Sequence, residues 1–272
     1  MGNIAIAKET IRITDERKFE CGGRTVSLPA LDYAAAEVIR PEDAEALLQA
    51  DLTEFQLDAP CRITVTTEDT FTAAKRLRPA LALNFANAHH AGGGFLLGAN
   101  AQEEALCRCS TLYASIKSEA AAEMYRYNNT HLKAVESDYM LYSPNVCVFR
   151  DHHCSLTDDF FQAAVITAPA PNRRGAAVLA GETLLRETFL RRFRIILRFA
   201  ALHGFRNVVL GAWGCGAFGN SPKMVAECSA EALRDGGLAN CFTEVCFAVY
   251  GKETSRNYQA FAAQFAGQTA DQ

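Results

Sequence analysis

The sequence predicts an α/β fold in which one sheet is covered by helices on both faces. From residue 62 onward, short apolar runs alternate with segments of helical spacing, and this alternation is typical of a sheet with helices on both sides. Two glycine-rich segments, at residues 92–94 and 211–219, each follow a strand-like run. Open α/β sheets bind ligands at such strand ends, so the pattern predicts one site formed by both segments.

The composition is that of an ordinary soluble enzyme. The 272 residues are 49% hydrophobic and 21% charged, and the net charge is −4, which excludes a basic field for binding nucleic acids. No apolar run is long enough to span a bilayer, and residues 1–10 lack the features of a signal peptide. Ten cysteines without a CxxC pair favour reduced, mostly buried thiols. We therefore expect a cytoplasmic protein with no membrane or nucleic-acid partner.

The first part of the chain differs from the rest. Residues 1–60 are rich in alanine and glutamate and are expected to form a helical appendage packed on the core. A helix is predicted over residues 41–48, because Pro41 suits the first helical position and two acidic residues follow it. We expect the catalytic domain to span residues 61–266 and residues 267–272 to be a frayed tail.

The elements of the core are predicted from periodicity and turn residues. Residues 80–86 are almost entirely apolar, as in a buried strand. Residues 184–202 form the longest predicted helix, which ends at His203-Gly204 because glycine suits a left-handed cap. The remaining strands are expected at residues 62–66, 142–148, 162–167, 207–211 and 243–249, and the remaining helices at residues 70–77, 105–116, 222–234 and 255–265.

The first glycine-rich segment leads directly into a predicted helix. Glycines without side chains allow backbone N–H groups to approach a phosphate or ribose, and acidic residues favour a helix start. The pattern therefore suggests chemistry on a nucleotide-like sugar, although a flexible surface loop with two solvated glutamates remains an alternative. The residues of this pattern are Gly92, Gly93, Gly94, the candidate N-cap Asn100, Gln102, Glu103 and Glu104.

The second glycine-rich segment lies between a predicted strand and a predicted helix. Its backbone N–H groups suit a bound diphosphate, since the segment opens toward a helix N-terminus. Glycine-rich turns also occur for packing reasons, but the presence of two such segments favours a ligand site. The candidate binding residues here are Gly214, Cys215, Gly216, Ala217, Phe218, Gly219 and Asn220.

Together these motifs resemble a known signature. Asn84-Phe85-Ala86-Asn87, the three glycines, a seven-residue spacer and Gln102-Glu103-Glu104 are similar to the pattern of microbial-type poly(ADP-ribose) glycohydrolases. The resemblance spans nearly the whole chain and implies a macrodomain-like three-layer α/β/α fold with a mixed central sheet and an N-terminal helical segment. His89-His90-Ala91 departs from the family pattern, in which a shorter or proline-containing stretch precedes the glycines.

The resemblance also implies roles for individual residues. Glu104 is the expected acid/base for cleaving the ribose–ribose bond, Glu103 is expected to bind ribose hydroxyls, and Gln102 to support them. Neighbouring helical residues are about 100° apart, so the two glutamates are expected to divide the work. Asn87 is expected to orient the ribose, residues 211–220 to bind the diphosphate, Phe218 to pack on the adenosine side, and Asn172 to lie along the cleft.

The expected partner is poly(ADP-ribose) or an ADP-ribosylated protein, bound by a monomer without a cofactor. One alternative is a hydrolase of the same fold that removes single ADP-ribose groups from proteins. Another is a non-catalytic ADP-ribose reader, which the two glutamates argue against. A zinc-dependent relative is the third, but no metal is expected, because the histidine and cysteine clusters lack zinc-site spacing. These clusters are His89-His90, Cys107-x-Cys109 and His152-His153-Cys154.

Overall fold

A computed structural model describes residues 1–266, and the expected tail at residues 267–272 lies outside the described residues. Within residues 1–266 the chain forms nine α-helices and nine strands. The helices are α1 (Asn3–Glu16), α2 (Pro41–Gln49), α3 (Thr70–Leu77), α4 (Gln102–Cys109), α5 (Leu112–Ile116), α6 (Ala122–Thr130), α7 (Glu182–Leu202), α8 (Pro222–Arg234) and α9 (Arg256–Phe265). The strands are β1 (Lys18–Cys21), β2 (Arg24–Ser27), β3 (Glu37–Ile39), β4 (Arg62–Thr66), β5 (Ala80–Ala86), β6 (Met140–Arg150), β7 (Leu156–Pro169), β8 (Asn207–Leu210) and β9 (Glu244–Ala248).

A mixed sheet of seven strands forms the centre of the described chain. Its order is β3-β6-β7-β5-β8-β9-β4. The five strands from β7 to β4 pair in parallel, whereas β6 and β3 pair antiparallel at one side. The carboxyl ends of β5, β7, β8 and β9 therefore meet at the same edge of the sheet, where open α/β sheets bind ligands.

Helices cover both faces of this sheet. On β5, Leu81 and Leu83 pack into one apolar core with residues of α7, α8 and α9, while Ala80 and Ala82 pack into another with residues of α3, α4 and α5. Successive strand residues point to opposite faces, so the two cores lie on opposite sides of the sheet. This arrangement confirms the predicted three-layer α/β/α fold with a mixed sheet and an N-terminal helix.

Residues 1–60 contain more strand structure than the sequence patterns indicated. β1 and β2 form an antiparallel hairpin, and β3 is an edge strand of the central sheet, paired with β6. α1 packs against α4, and Thr10 on α1 donates a hydrogen bond to the carbonyl of Arg108 at 2.7 Å. The N-terminal segment thus supports the helix that carries the two glutamates, and the division at residue 60 stays a prediction.

Most core elements lie where the sequence predicted them, but the helix expected at residues 105–116 is divided into α4 and α5. The break follows Cys109, because Ser110 takes up extended backbone and forms a β-bridge with Val148 of β6. The hydroxyl of Ser110 accepts a hydrogen bond from the amide of Leu112 at 3.1 Å, which helps to start α5. Helix α6 was not predicted. In the part of the chain that the structure describes, no helix is long and apolar enough to cross a membrane.

Candidate active site

The loop after β5 begins with a turn made by Asn87. The side-chain oxygen of Asn87 accepts hydrogen bonds from the amides of His89 at 2.8 Å and His90 at 3.0 Å. This contact starts the path of the His89-His90-Ala91 segment toward the glycines. The side-chain oxygen of Asn87 is thus hydrogen-bonded within the loop. The contact of its amide group with a ribose stays a prediction.

The loop that contains the three glycines lies against the side chains of the two glutamates. Gly92 and Gly93 have positive φ angles of +72° and +54°, which glycine adopts without steric cost. The amide of Gly94 donates to Oε1 of Glu104 at 2.9 Å, and the amide of Gly93 donates to the carbonyl of His90 at 3.0 Å. These two amides are hydrogen-bonded inside the protein, and the expectation that the glycines bind substrate stays a prediction. The glycines leave room for the carboxylates.

The start of α4 differs from the sequence-based expectation by one residue. The N-cap is Ala101, not Asn100, and its amide donates to Oε2 of Glu104 at 2.8 Å. The Asn100 side chain is used elsewhere, because its oxygen accepts a hydrogen bond from the buried guanidinium of Arg108 at 2.5 Å. Glu104 thus caps its own helix with one oxygen and holds the glycine loop with the other.

Glu103 and Glu104 point to different surroundings. Glu103 is 3% exposed, and its carboxylate accepts hydrogen bonds from the amide of Asn87 at 2.9 Å and from Nδ2 of Asn84 at 3.3 Å. Burial raises the pKa of Glu103 to about 8, against the opposing effect of these donors. Glu104 lies on the wall of the cleft described below, with Glu103 behind it. The contacts of Glu103 are those of a positioning residue, and its expected contact with ribose hydroxyls stays a prediction.

Gln102 attaches α4 to the central strand. Its side-chain oxygen accepts a hydrogen bond from the amide of Phe85 at 2.8 Å, and its Nε2 donates to the carbonyl of Leu83 at 2.8 Å and to the hydroxyl of Thr70 at 3.0 Å. β8 pairs with β5 only through Ala80–Ala82, so the amide group of Gln102 continues the hydrogen bonding where β8 diverges. This contact supports the predicted supporting role of Gln102.

A cleft of about 760 Å³ opens at the carboxyl ends of the parallel strands. Its volume is in the range of small-molecule binding sites. The wall is formed by the start of α4, the second glycine-rich loop and the segment after β9. Residues that line it include Thr70, Phe85, Ala101, Gln102, Glu104, Arg108, Cys109, His152, Cys154, Ala170, Gly214, Gly216, Ala217, Phe218, Tyr250 and Asn257.

The second glycine-rich loop is anchored by Trp213. This side chain is fully buried, packs edge-on against Phe189 and Phe193, and donates its indole N–H to the carbonyl of Ala168 at 3.2 Å. Beyond this anchor, the amides of three consecutive residues donate to no acceptor within residues 1–266, and the first two residues are exposed. These residues are Gly216, Ala217 and Phe218. Consecutive free N–H groups of this kind form an anion-binding concavity.

The other residues of the loop have varied positions. Gly214 has a φ of +72°, and a Cβ atom there would lie 2.8 Å from Ala170, so the glycine allows close packing. Cys215 is half-buried, and burial raises the pKa of its thiol to about 12. Gly219 lies against the Arg174 side chain. Asn220 is buried and donates to the carbonyls of Pro171 at 2.8 Å and Gly214 at 2.9 Å, so it braces the loop from behind.

Asn172 also has a structural contact. Its side-chain oxygen accepts a hydrogen bond from the amide of Arg174 at 3.0 Å, which forms the turn after β7. Within the described chain, Asn172 is not among the residues that line the cleft, whereas its neighbour Ala170 is. The turn is tied to the second loop, because the amide of Arg173 donates to the carbonyl of Phe218 at 3.0 Å.

Several cleft residues were not predicted from the sequence. Phe85 and Tyr250 lie at or just after the ends of β5 and β9, and their place at the ends of parallel strands was the available signal. Asn257 and Thr70 lie in the first turns of α9 and α3, where sequence gave no comparable indication. Among residues 1–266 no group of three or more His, Cys, Asp or Glu side chains is arranged to hold a metal ion.

Comparison with known proteins gives a consistent result. Residues 7–151 match the family model described as microbial-type PARG, catalytic domain. The structure of poly(ADP-ribose) glycohydrolase from Thermomonospora curvata is 39% identical, covers 97% of this chain and 99% of its own, and superposes with a TM-score of 0.87. The same protein bound to the inhibitor ADP-HPD gives a TM-score of 0.86 at 39% identity, with 97% and 99% coverage.

A second organism provides a further match. Poly(ADP-ribose) glycohydrolase from Deinococcus radiodurans in complex with ADP-ribose is 37% identical, with a TM-score of 0.80 and coverage of 90% of this chain and 100% of its own. Among curated proteins, none matches the chain. Similarity to solved structures therefore extends over almost the whole chain, including the glycine–glutamate segment and the second loop.

Proposed function

The chain belongs to the microbial-type poly(ADP-ribose) glycohydrolase family, and we propose that it hydrolyses the ribose–ribose bonds of poly(ADP-ribose) with Glu104 as the general acid/base. The observation that carries this proposal is the position of Glu104. Its carboxylate lies on the wall of the cleft, and each of its oxygens accepts one backbone N–H, from Gly94 and Ala101. A carboxylate held in one orientation at a ligand cleft is suited to transfer a proton.

In the proposed reaction, one carboxylic group on the cleft wall carries out both proton transfers. Glu104 gives a proton to the oxygen of the bond between two riboses, and the bond breaks toward an oxocarbenium-like centre. The resulting carboxylate then takes a proton from a water molecule, whose oxygen attacks that centre. We assign no proton transfer to Glu103, because it is buried and, unlike Glu104, does not line the cleft. Its hydrogen bonds with Nδ2 of Asn84 and the amide of Asn87 fix the start of the loop, which is the contact of a positioning residue.

The second loop binds the diphosphate of the substrate in this proposal. The free amides of Gly216, Ala217 and Phe218 line the cleft, and a diphosphate supplies the acceptors that they lack. The Phe218 ring offers an apolar surface to the adenosine part of the ligand. This assignment is supported by the relatives, since the Deinococcus radiodurans enzyme was solved with ADP-ribose and the Thermomonospora curvata enzyme with ADP-HPD.

The proposed site needs no second chain, because all of its residues come from one copy. A monomer is therefore the active form that we propose. All ten cysteines are free thiols, which supports the expectation of a reducing compartment such as the cytoplasm. The proposed partner is the ADP-ribose polymer itself.

The test compares wild type with Glu104→Gln on poly(ADP-ribose) and on a mono-ADP-ribosylated protein, with a chelator present throughout. Wild type should shorten the polymer to ADP-ribose, and the variant should lose about 10²–10⁴-fold in kcat. Its affinity for ADP-ribose, measured by calorimetry, should change little because the second loop is intact.

Glu187→Gln is the matched control, since Glu187 is exposed on α7, and it should retain wild-type kcat. If wild type leaves the polymer intact but removes the single modification, the substrate is different from the one proposed. If Glu104→Gln keeps wild-type kcat, Glu104 is not the acid/base.

A further inference from the structure

Two cysteines face each other on the wall of the cleft. The Sγ atoms of Cys109 and Cys154 are 3.9 Å apart, and both residues line the cleft. Cys109 is the last residue of α4, and Cys154 lies in the turn between β6 and β7. A smaller cavity of about 170 Å³, which Cys109 also lines, adjoins the cleft at this point. Cys154 is partly exposed, so a small oxidant has access to its thiol.

We propose that Cys109 and Cys154 form a peroxide-reactive dithiol, in which Cys154 reacts with a hydroperoxide and Cys109 closes a disulfide. Neither residue takes part in the glycoside hydrolysis described above. The proposal therefore adds a modification site to the protein, with a hydroperoxide as its substrate class.

Hydrogen bonds hold the turn that carries Cys154 in place. The amide of Cys154 donates to the carbonyl of Asp151 at 2.9 Å, and its carbonyl accepts from Nη1 of Arg150 at 2.8 Å. The Cys109 thiol lies 3.3 Å from the same Asp151 carbonyl. Cys154 has a φ of +63°, which is uncommon for a residue with a side chain. The turn therefore presents its thiol toward α4.

The charges around Cys154 favour a thiolate. The neighbouring Cys109 thiol and the guanidinium groups of Arg108 and Arg150 lower the pKa of Cys154, against the effect of partial burial. The hydrogen bond to Cys154, together with burial, raises the pKa of Cys109. The proton of the pair thus stays on Cys109. The thiolate is the nucleophilic form, so Cys154 is the sulfur that attacks.

The surroundings of other thiols differ. Burial raises the pKa of Cys61 to about 11 and that of Cys215 to about 12, although both are partly exposed. Cys107, two residues before Cys109, is fully buried and lies near the carboxylates of Glu103 and Glu104, and its pKa is also raised. Cys154 differs from Cys61 and Cys215, which are also partly exposed, in having both a neighbouring Cys109 thiol and the guanidinium groups of Arg108 and Arg150 beside it.

The chemistry balances in two steps. The Cys154 thiolate attacks one oxygen of the peroxide, the O–O bond breaks, and the leaving hydroxide or alkoxide takes a proton, which produces Cys154 sulfenic acid. The Cys109 sulfur then attacks the Cys154 sulfur, the S–O bond breaks, and hydroxide leaves with the Cys109 proton as water. The two thiols supply two electrons, and the peroxide accepts them.

The experiment treats the reduced full-length protein with hydrogen peroxide and maps its peptides by mass spectrometry. A peptide linked through Cys109 and Cys154 should form and should disappear on addition of dithiothreitol. In Cys109→Ser, dimedone should instead trap a sulfenic acid at Cys154. Cys154 should react at least tenfold faster than Cys61, a partly exposed thiol whose pKa is raised by burial.

Cys61→Ser serves as the matched variant and should form the same linked peptide at the wild-type rate. The proposal is overturned if Cys154 reacts no faster than Cys61, or if wild type accumulates oxidised Cys154 without a link to Cys109. If Cys109→Ser does not fold, the linked peptide in wild type decides the question alone. A different disulfide partner for Cys154 would also overturn it.

Discussion

A Cβ atom added to Gly93 would lie 2.6 Å from Oε1 of Glu104. Cβ atoms in proteins essentially never come this close to another heavy atom, so the Glu104 carboxylate can occupy its position only if residue 93 is a glycine. Oε1 of Glu104 also accepts the amide of the next residue, Gly94, at 2.9 Å. Gly93 and Gly94 therefore fix the position of the proposed acid/base, and the spacing of Gly93 from Glu104 has a steric reason.

Gly93→Ala should displace the Glu104 carboxylate. A misplacement of about 1 Å can cost roughly 10²-fold in rate, and we expect a loss of at least tenfold in kcat on poly(ADP-ribose). The alanine must also adopt a φ of +54°, which should lower the free energy of unfolding by about 1–2 kcal/mol. Urea unfolding and steady-state kinetics measure the two effects.

Gly236→Ala is the matched control for backbone strain. Gly236 has a φ of +56°, and a Cβ atom there would meet nothing within 4 Å. It should lose similar stability and keep its kcat. Equal losses of kcat in both variants would show that the effect of Gly93→Ala comes from lowered stability rather than from the carboxylate.

The sequence predicted the strand and the helix start that form this site better than it predicted the hydrogen bonds between their side chains. Strand β5 and the glycine–glutamate spacing have strong local signals, because an apolar run and three glycines leave few alternatives. The contacts of the loop depend on partners distant in sequence. Asn100 was the natural N-cap candidate, but it instead accepts from Arg108, which also donates to the carbonyl of Ala99. Such competition between partners is decided in three dimensions.

The same reason explains the missed edge of the sheet. β3 has only three residues, and it is a strand because β6 pairs with it over Glu37–Ile39. Three residues are too few to show the alternation of apolar and polar side chains that predicts a strand. Helix α4 likewise ends where Ser110 bridges to β6, although the helical spacing continues beyond it. Tertiary pairing overrides local propensity at these places.

Gln102→Leu should destabilise the protein, because it leaves the amide of Phe85 and the carbonyl of Leu83 without the partners they have now. An unsatisfied buried polar group costs about 1–3 kcal/mol, and we expect the free energy of unfolding to decrease by at least that amount.

Gln49→Leu is the control. Gln49 is exposed at the end of α2, and its replacement should change stability by no more than about 0.5 kcal/mol. Urea unfolding of both variants checks this, and equal changes would contradict it.

Glu103→Gln should remove part of the pH dependence of stability. Burial raises the pKa of Glu103 from the usual 4.5 to about 8, so between these values the folded protein keeps a proton that the unfolded chain has released. The free energy of unfolding of wild type must then fall as pH rises through this window, by roughly 3–5 kcal/mol in total. Glutamine does not ionise, so the variant lacks this decrease. The free energy of unfolding of the variant minus that of wild type should therefore be larger at pH 9 than at pH 5.

Urea unfolding from pH 5 to 9 measures this difference, and Glu187→Gln is the control that should keep the wild-type slope. Parallel curves for wild type and Glu103→Gln would mean that Glu103 is ionised in the folded protein throughout, and that the donors from Asn84 and Asn87 outweigh its burial.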